Sequence, residues 1–187
     1  MFIPEPSDIQ VPVYAFVLWD SPDMAGCALE LCNGIEQRVE NIKFHLSEAD
    51  ANDIVHDRGV APTDTNALEA DLLLVAFQEM AKSLPNELKQ WFKKWSTKRK
   101  CDYGALAKLD APTPLSRQHE HELAAHSEAR WPDPQACESG FRQFLQQTAE
   151  RAKVDFISGA LEADLEEATR NLCYLPAQAF PYSHAHL

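Results

Sequence analysis

The sequence predicts an α+β domain that is dominated by helices and contains a small sheet, with an all-α domain as the alternative. The strand prediction rests on residues 11–19, which are rich in β-branched and aromatic side chains and end at Asp20-Ser21-Pro22. The helix predictions rest on segments such as 159–175, whose apolar residues recur at helical spacing. The 187 residues fit a single domain over 1–187, because roughly one to two hundred residues per domain is typical.

The first half of the chain predicts one clear strand among helices. Prolines restrict residues 1–10 to an extended N-terminal arm. Residues 41–46 alternate between apolar and polar side chains, which predicts a second strand, although a helix running through from residue 35 is a rival. The other segments are predicted as helices over 24–33, 47–58 and 68–84. Ser21-Pro22 provides the start signal for the first helix. The third helix is the most apolar and is expected at the centre of the fold.

The second half of the chain predicts further helices and a C-terminal tail. Pro112 and Pro114 indicate a connection within one core and not a boundary between domains. The predicted elements are a helix over 86–98, a polar and exposed helix over 116–130, a helix beginning at Asp133-Pro134, a short strand over 153–157, a helix over 159–175, and a tail over 177–187.

The localisation prediction rests on apolar runs and cysteines. No apolar run approaches the ~20 residues that a membrane span needs, and the N-terminus lacks the basic region of an export signal. The five cysteines are odd in number, scattered, and never spaced as C-x-x-C, so reduced thiols that pack as small apolar side chains are expected. The sequence therefore predicts a cytoplasmic protein that makes no contact with a membrane.

The net charge of −12 is unevenly distributed along the chain. Residues 1–81 carry −12, and residues 101–187 carry −6. Residues 82–100 hold seven basic residues against one acidic residue, which gives +6. An acidic protein is disfavoured as a non-specific nucleic-acid binder, but this basic segment retains the capacity for a localised contact.

The basic segment separates its aromatic residues from its lysines. At 100° per residue, Leu88, Trp91, Phe92 and Trp95 share one helix face, while Lys89, Lys93 and Lys100 lie on another. The aromatic residues are therefore expected to anchor the helix to the core, where they cannot act as a stacking platform for single-stranded nucleic acid. The candidate partner-binding residues are Lys89, Lys93, Lys94, Lys98, Arg99 and Lys100, and a plain solvated basic face is the competing interpretation.

A second candidate site lies in the polar segment that follows. His121-Glu122 is followed by a histidine five residues on, so the zinc-protease spacing fails. His119, Glu122 and His126 instead share one helix face at i, i+3 and i+7. Two imidazoles and a carboxylate are reasonable ligands for a divalent metal, although surface histidines on a polar helix are common.

The sequence favours a binding protein over an enzyme. It contains no phosphate-binding loop, no dinucleotide-binding motif and no nucleophile-elbow motif. The favoured hypothesis is a non-enzymatic regulatory or inhibitory protein without a cofactor, which binds an acidic protein or nucleic-acid phosphate through the 82–100 helix. The alternative is a metal-dependent hydrolase or nuclease that acts on a phosphate-containing substrate.

Overall fold

A computed structural model describes residues 10–39, 41–56, 61–78, 80, 83–101, 103–109, 134–158 and 169–170. The described residues form five strands and five principal helices. The strands are β1 (Val11–Trp19), β2 (Ile42–Asp50), β3 (Leu72–Ala76), β4 (Ala105–Leu109) and β5 (Asp155–Ser158). The helices are α1 (Pro22–Arg38), α2 (Ala51–Val55), α3 (Ala61–Glu69), α4 (Asn86–Lys98) and α5 (Pro134–Ala152). Within these ranges, no helix is long and apolar enough to cross a membrane.

The five strands form one parallel sheet in the order β2-β1-β3-β4-β5. Parallel neighbours need crossover connections, and helices occupy the described parts of those connections. This strand order is one of the two common doubly wound α/β arrangements. The predicted α+β class with a small sheet is therefore wrong, and so is the all-α alternative.

The error originates mainly in residues 68–84, which the sequence predicts as a central helix. The apolar part of this segment is β3, and all five of its residues are buried. A strand inside a parallel sheet is covered on both faces, so it lacks the alternation that identifies a half-exposed strand. The segment does lie at the centre of the fold, but as a strand. The equally buried β4 was not predicted at all.

The remaining secondary-structure predictions are confirmed in part. The strand at 11–19 is confirmed, and the strand at 41–46 is confirmed over its rival helix, although β2 continues to Asp50. The helix predicted to begin near Ser47 begins only at Ala51. The helix at 86–98 and the short strand near 153–157 are present as α4 and β5. Residues 1–9, 110–133, 159–168 and 171–187 lie outside the described residues. The predicted arm, polar helix and tail, and most of the helix predicted over 159–175, fall in these ranges.

Two apolar layers enclose the sheet. On one face, α1 packs Met24, Ala28, Cys32 and Ile35 against the sheet. The other face is covered by α2, α3, α4 and α5. Burial, with a contribution from the nearby Glu36 carboxylate, raises the pKa of the Cys32 thiol to about 12. Cys32 is thus an apolar core residue, and the described cysteines Cys27, Cys32 and Cys101 are all free thiols.

The outer edge of the sheet is partly closed by a side chain from α1. Glu36 accepts the backbone N–H of Phe44 in the edge strand β2 at 2.6 Å and pairs with Lys43 at 2.8 Å. Partial burial alone would raise the pKa of Glu36, but Lys43 and the Phe44 N–H outweigh it and lower that pKa. One outward-facing amide of the edge strand therefore has an acceptor within its own chain.

The amino-terminal ends of β3 and β4 meet at Gly104. The Asp71 carbonyl accepts the N–H of Ala105, and the Gly104 carbonyl accepts the N–H of Asp155. Gly104 has a φ of +147°, which side chains rarely adopt, and a Cβ there would overlap the Asp71 carbonyl and the Arg99 guanidinium. The close approach of these two segments depends on the missing side chain.

We predict that Gly104→Ala lowers the free energy of unfolding by about 2 kcal/mol or more, because the Asp71 carbonyl belongs to the backbone and cannot move aside cheaply. Urea unfolding curves measure the change. Gly140→Ala in α5 is the control, since its Cβ would meet nothing within 4 Å, and it should be neutral or stabilising by up to about 1 kcal/mol. Equal stabilities of the two variants would contradict this account of Gly104.

Candidate functional site

The basic helix α4 is held at a fixed orientation by its buried face. The ring centroids of Trp91 and Phe16 of β1 lie 6.2 Å apart. Phe92 packs edge-on against Phe144 of α5, with 5.7 Å between the ring centroids. The indole N–H of Trp95 donates to the carbonyl of Ala67 at 2.8 Å. The prediction that the aromatic residues anchor this helix to the core is confirmed.

The lysines of α4 lie on its exposed side. Lys89, Lys93, Lys94 and Lys98 are all exposed, and Glu87 is the single acidic residue of the helix. Glu87 lies in the first turn and Lys98 in the last, where each charge favours the helix dipole. We call these four lysines the lysine face. It gives α4 a charge of +3 within a chain of −12.

The two basic residues after α4 are placed differently. The helix ends at Lys98, so Lys100 does not continue the face and instead pairs with Glu69 of α3 at 2.6 Å. Arg99 is half-buried; its guanidinium donates to the carbonyls of Ala70 and Tyr103 and lies over the Trp95 ring at 5.6 Å. Arg99 therefore joins α4 to the amino-terminal edge of the sheet.

A second candidate region lies at the carboxyl ends of the strands. In doubly wound sheets, ligands bind in the crevice where neighbouring strands connect in opposite directions, which here lies between β1 and β3. Asp20 follows β1 directly and occupies this position. Its carboxylate accepts the N–H of Gln78 at 2.9 Å and the N–H of Met80 at 2.8 Å, both from the segment after β3.

The neighbouring groups complete a connected set. The amide of Asn52 donates to the carboxylate of Asp50 at 2.9 Å and to the carbonyl of Asp20 at 3.4 Å. Ser21 caps α1 through the N–H of Met24. Hydrogen bonds thus connect the segments that follow β1, β2 and β3.

This arrangement disfavours direct binding of a phosphate by the first turn of α1. A phosphate at the start of α1 would need free backbone N–H groups. Pro22 supplies no N–H, the N–H of Met24 is already capped by Ser21, and Asp20 places a carboxylate at the same edge. Between β1 and β3, the start of α1 thus offers few free backbone N–H groups, and the Asp20 carboxylate lies at the same edge.

One buried charged side chain was not expected from the sequence. Lys108, near the carboxyl end of β4, is only 4% exposed, and its register partners are Val75 and Ser158. A buried ammonium group needs compensating partners, so Lys108 is a notable feature of this edge. The signal in the sequence is one lysine inside the apolar run Ala105–Leu109, which was not identified as a strand.

The predicted metal ligands His119, Glu122 and His126 lie outside the described residues. Among the residues that the structure does describe, no group of three histidine, cysteine, aspartate or glutamate side chains could hold a metal ion. The metal hypothesis is therefore untested.

Comparisons with known proteins give little further information. No protein-family model matches the chain, and no curated protein matches it. Among solved structures, the chain is similar to the N-terminal part of the protein BF1531 from Bacteroides fragilis, which contains a phosphatase domain complexed with Mg. The identity is 11% and the TM-score is 0.40, with 87% of this chain and 44% of that chain covered. This chain thus spans less than half of that one, and a similarity at this level transfers neither fold nor function.

We predict that Asp20→Ala destabilises the protein by about 1–2 kcal/mol, because two backbone amides lose a charged acceptor. Hydrogen exchange should accelerate at Gln78 and Met80. Asp23→Ala is the control, since Asp23 is an exposed residue of the first turn of α1 and should cost less than about 1 kcal/mol. Unchanged exchange at Gln78 and Met80 in the Asp20 variant would show that the carboxylate does not hold this segment.

Proposed function

We propose that this chain is a non-enzymatic regulatory or inhibitory protein that binds an anionic macromolecular partner through the lysine face. The observation that carries the proposal is the division of α4: four exposed lysines lie on a helix whose aromatic residues are buried. A helix anchored in this way fixes the backbone positions of its lysines, so only their side chains lose conformational freedom when a partner binds. We further propose a cytoplasmic location, in keeping with the free thiols of Cys27, Cys32 and Cys101.

A further feature supports a binding role. The lysine face is a local positive region on an acidic chain, and complementary charge directs encounter and excludes wrong partners.

The proposal predicts that Lys89→Glu with Lys93→Glu removes partner binding. The immobilised protein would be exposed to an extract of its source organism, before and after nuclease treatment, and the retained partner quantified. The double variant should retain about a tenth or less, because each reversal replaces an attraction with a repulsion. Arg142→Glu with Arg151→Glu on α5 changes the charge equally at exposed positions and should retain the full amount. Equal retention by both double variants would refute the proposal.

The alternative, a metal-dependent hydrolase or nuclease, has its own test. If His119, Glu122 and His126 bind a divalent metal, the purified full-length protein should contain about one equivalent of zinc or manganese by elemental analysis. His126→Ala should lose that metal, because one of three ligands is removed. If the wild-type protein still contains no metal by elemental analysis after incubation with zinc or with manganese, this alternative is refuted. Stoichiometric metal that depends on His126 would instead count against a non-enzymatic function.

A further inference from the structure

The lysine face consists of two rows. At 100° and 1.5 Å per residue, Lys89 and Lys93 form one row, and Lys94 and Lys98 form a second row about 140° away around the helix axis. Between the rows lie Gln90 and Thr97, which are exposed and uncharged. The Thr97 hydroxyl bonds back to the carbonyls of Lys93 and Lys94. The surface is therefore an uncharged strip with a lysine row on each flank. Glu87, which is exposed and lies at the same angle as Lys94 and Lys98, begins the second row.

The chemistry of this surface fits carboxylates better than nucleic acid. Base stacking needs exposed aromatic rings, and the aromatic residues of α4 are buried. Lysines on a structured helix offer point charges without a surface on which bases can stack.

The number of charges leads to the same conclusion. The 13 residues of α4 extend for about 20 Å, and duplex DNA of that length carries about twelve phosphate charges. The surface offers four lysines and one opposing glutamate, Glu87. A long polyanion would also run past the rest of an acidic chain, where like charges repel it. A short acidic segment can contact the lysine face alone.

We infer that the partner of the lysine face is an acidic helical segment of another protein, which lies along the Gln90–Thr97 strip with carboxylates in rows spaced by four residues. Within each lysine row, the residues are also four apart, so a row of glutamates on the partner has matching spacing. The inference rests on the proposed function, because it names the partner of the same surface.

The test uses the full-length chain and four fluorescent probes. The first is an alanine-rich helical peptide with two glutamate rows at i, i+4 spacing, and the second has the same composition with glutamates distributed around the helix. The third and fourth are a 20-base-pair DNA duplex and a single strand of the same sequence. Anisotropy titrations give Kd at low and at physiological salt, because charge-driven binding weakens as salt rises.

The expected result has three parts. The row peptide binds at least about fivefold more tightly than the redistributed peptide and more tightly than either DNA. Lys89→Glu with Lys93→Glu raises its Kd about tenfold, and Lys94→Glu with Lys98→Glu has a similar effect, because both rows contact the peptide. The Arg142→Glu with Arg151→Glu control changes Kd by less than about twofold.

Failures of the two proposals are distinguishable. Lysine-dependent DNA binding that is tighter than peptide binding would overturn the acidic-helix partner and leave the proposed function intact. Equal, lysine-dependent binding of both peptides would overturn the row geometry and with it this inference. Probe binding that is absent or insensitive to both lysine rows would overturn the proposed function as well. Far-ultraviolet circular dichroism checks folding, and the glutamine substitutions at the same positions replace any glutamate variant that does not fold.

Discussion

Burial of the central strands on both faces is the constraint on which the rest of the structure depends. β1 and β3 lie inside a parallel sheet, and β3 is apolar and buried along its whole length. Both faces must therefore be covered, because each apolar side chain left exposed would lose roughly 1.5–3 kcal/mol of the stabilisation that burial provides. Among the described residues, α1 covers one face, and α2, α3, α4 and α5 cover the other. This layering sets the orientation of the described surface helices.

The lysine face is a direct product of that layering. The helix α4 must supply a broad apolar side to the sheet, and Leu88, Trp91, Phe92 and Trp95 do so. These four residues span most of one half of the helix, so charged residues are restricted to the other half. The hydrogen bond from Trp95 to Ala67 then fixes the rotation of the helix about its axis. The same packing that stabilises the domain also sets the direction in which the lysines point.

The sequence could reveal the elements whose pattern is local. The strand at 11–19 and the two sides of α4 were predictable, because β-branched residues and a helical period identify them without knowledge of neighbours. β3 was not, since an unbroken apolar run has no period that separates a buried strand from a buried helix. β4 was hidden by its shortness and by Lys108. The role of Asp20 could not be predicted, because its partners are backbone amides 58 and 60 residues away.

The Glu36 carboxylate on the edge strand has a consequence for self-association. An open parallel edge offers N–H and C=O groups on which another chain can extend the sheet. Because the pKa of Glu36 is lowered, the stabilisation from its contacts with Phe44 and Lys43 is present above the ordinary glutamate pKa and is lost only as pH falls through the lowered value. Across the pH range of living cells, a strand that pairs with β2 at this point would have to displace a charged acceptor from the Phe44 amide.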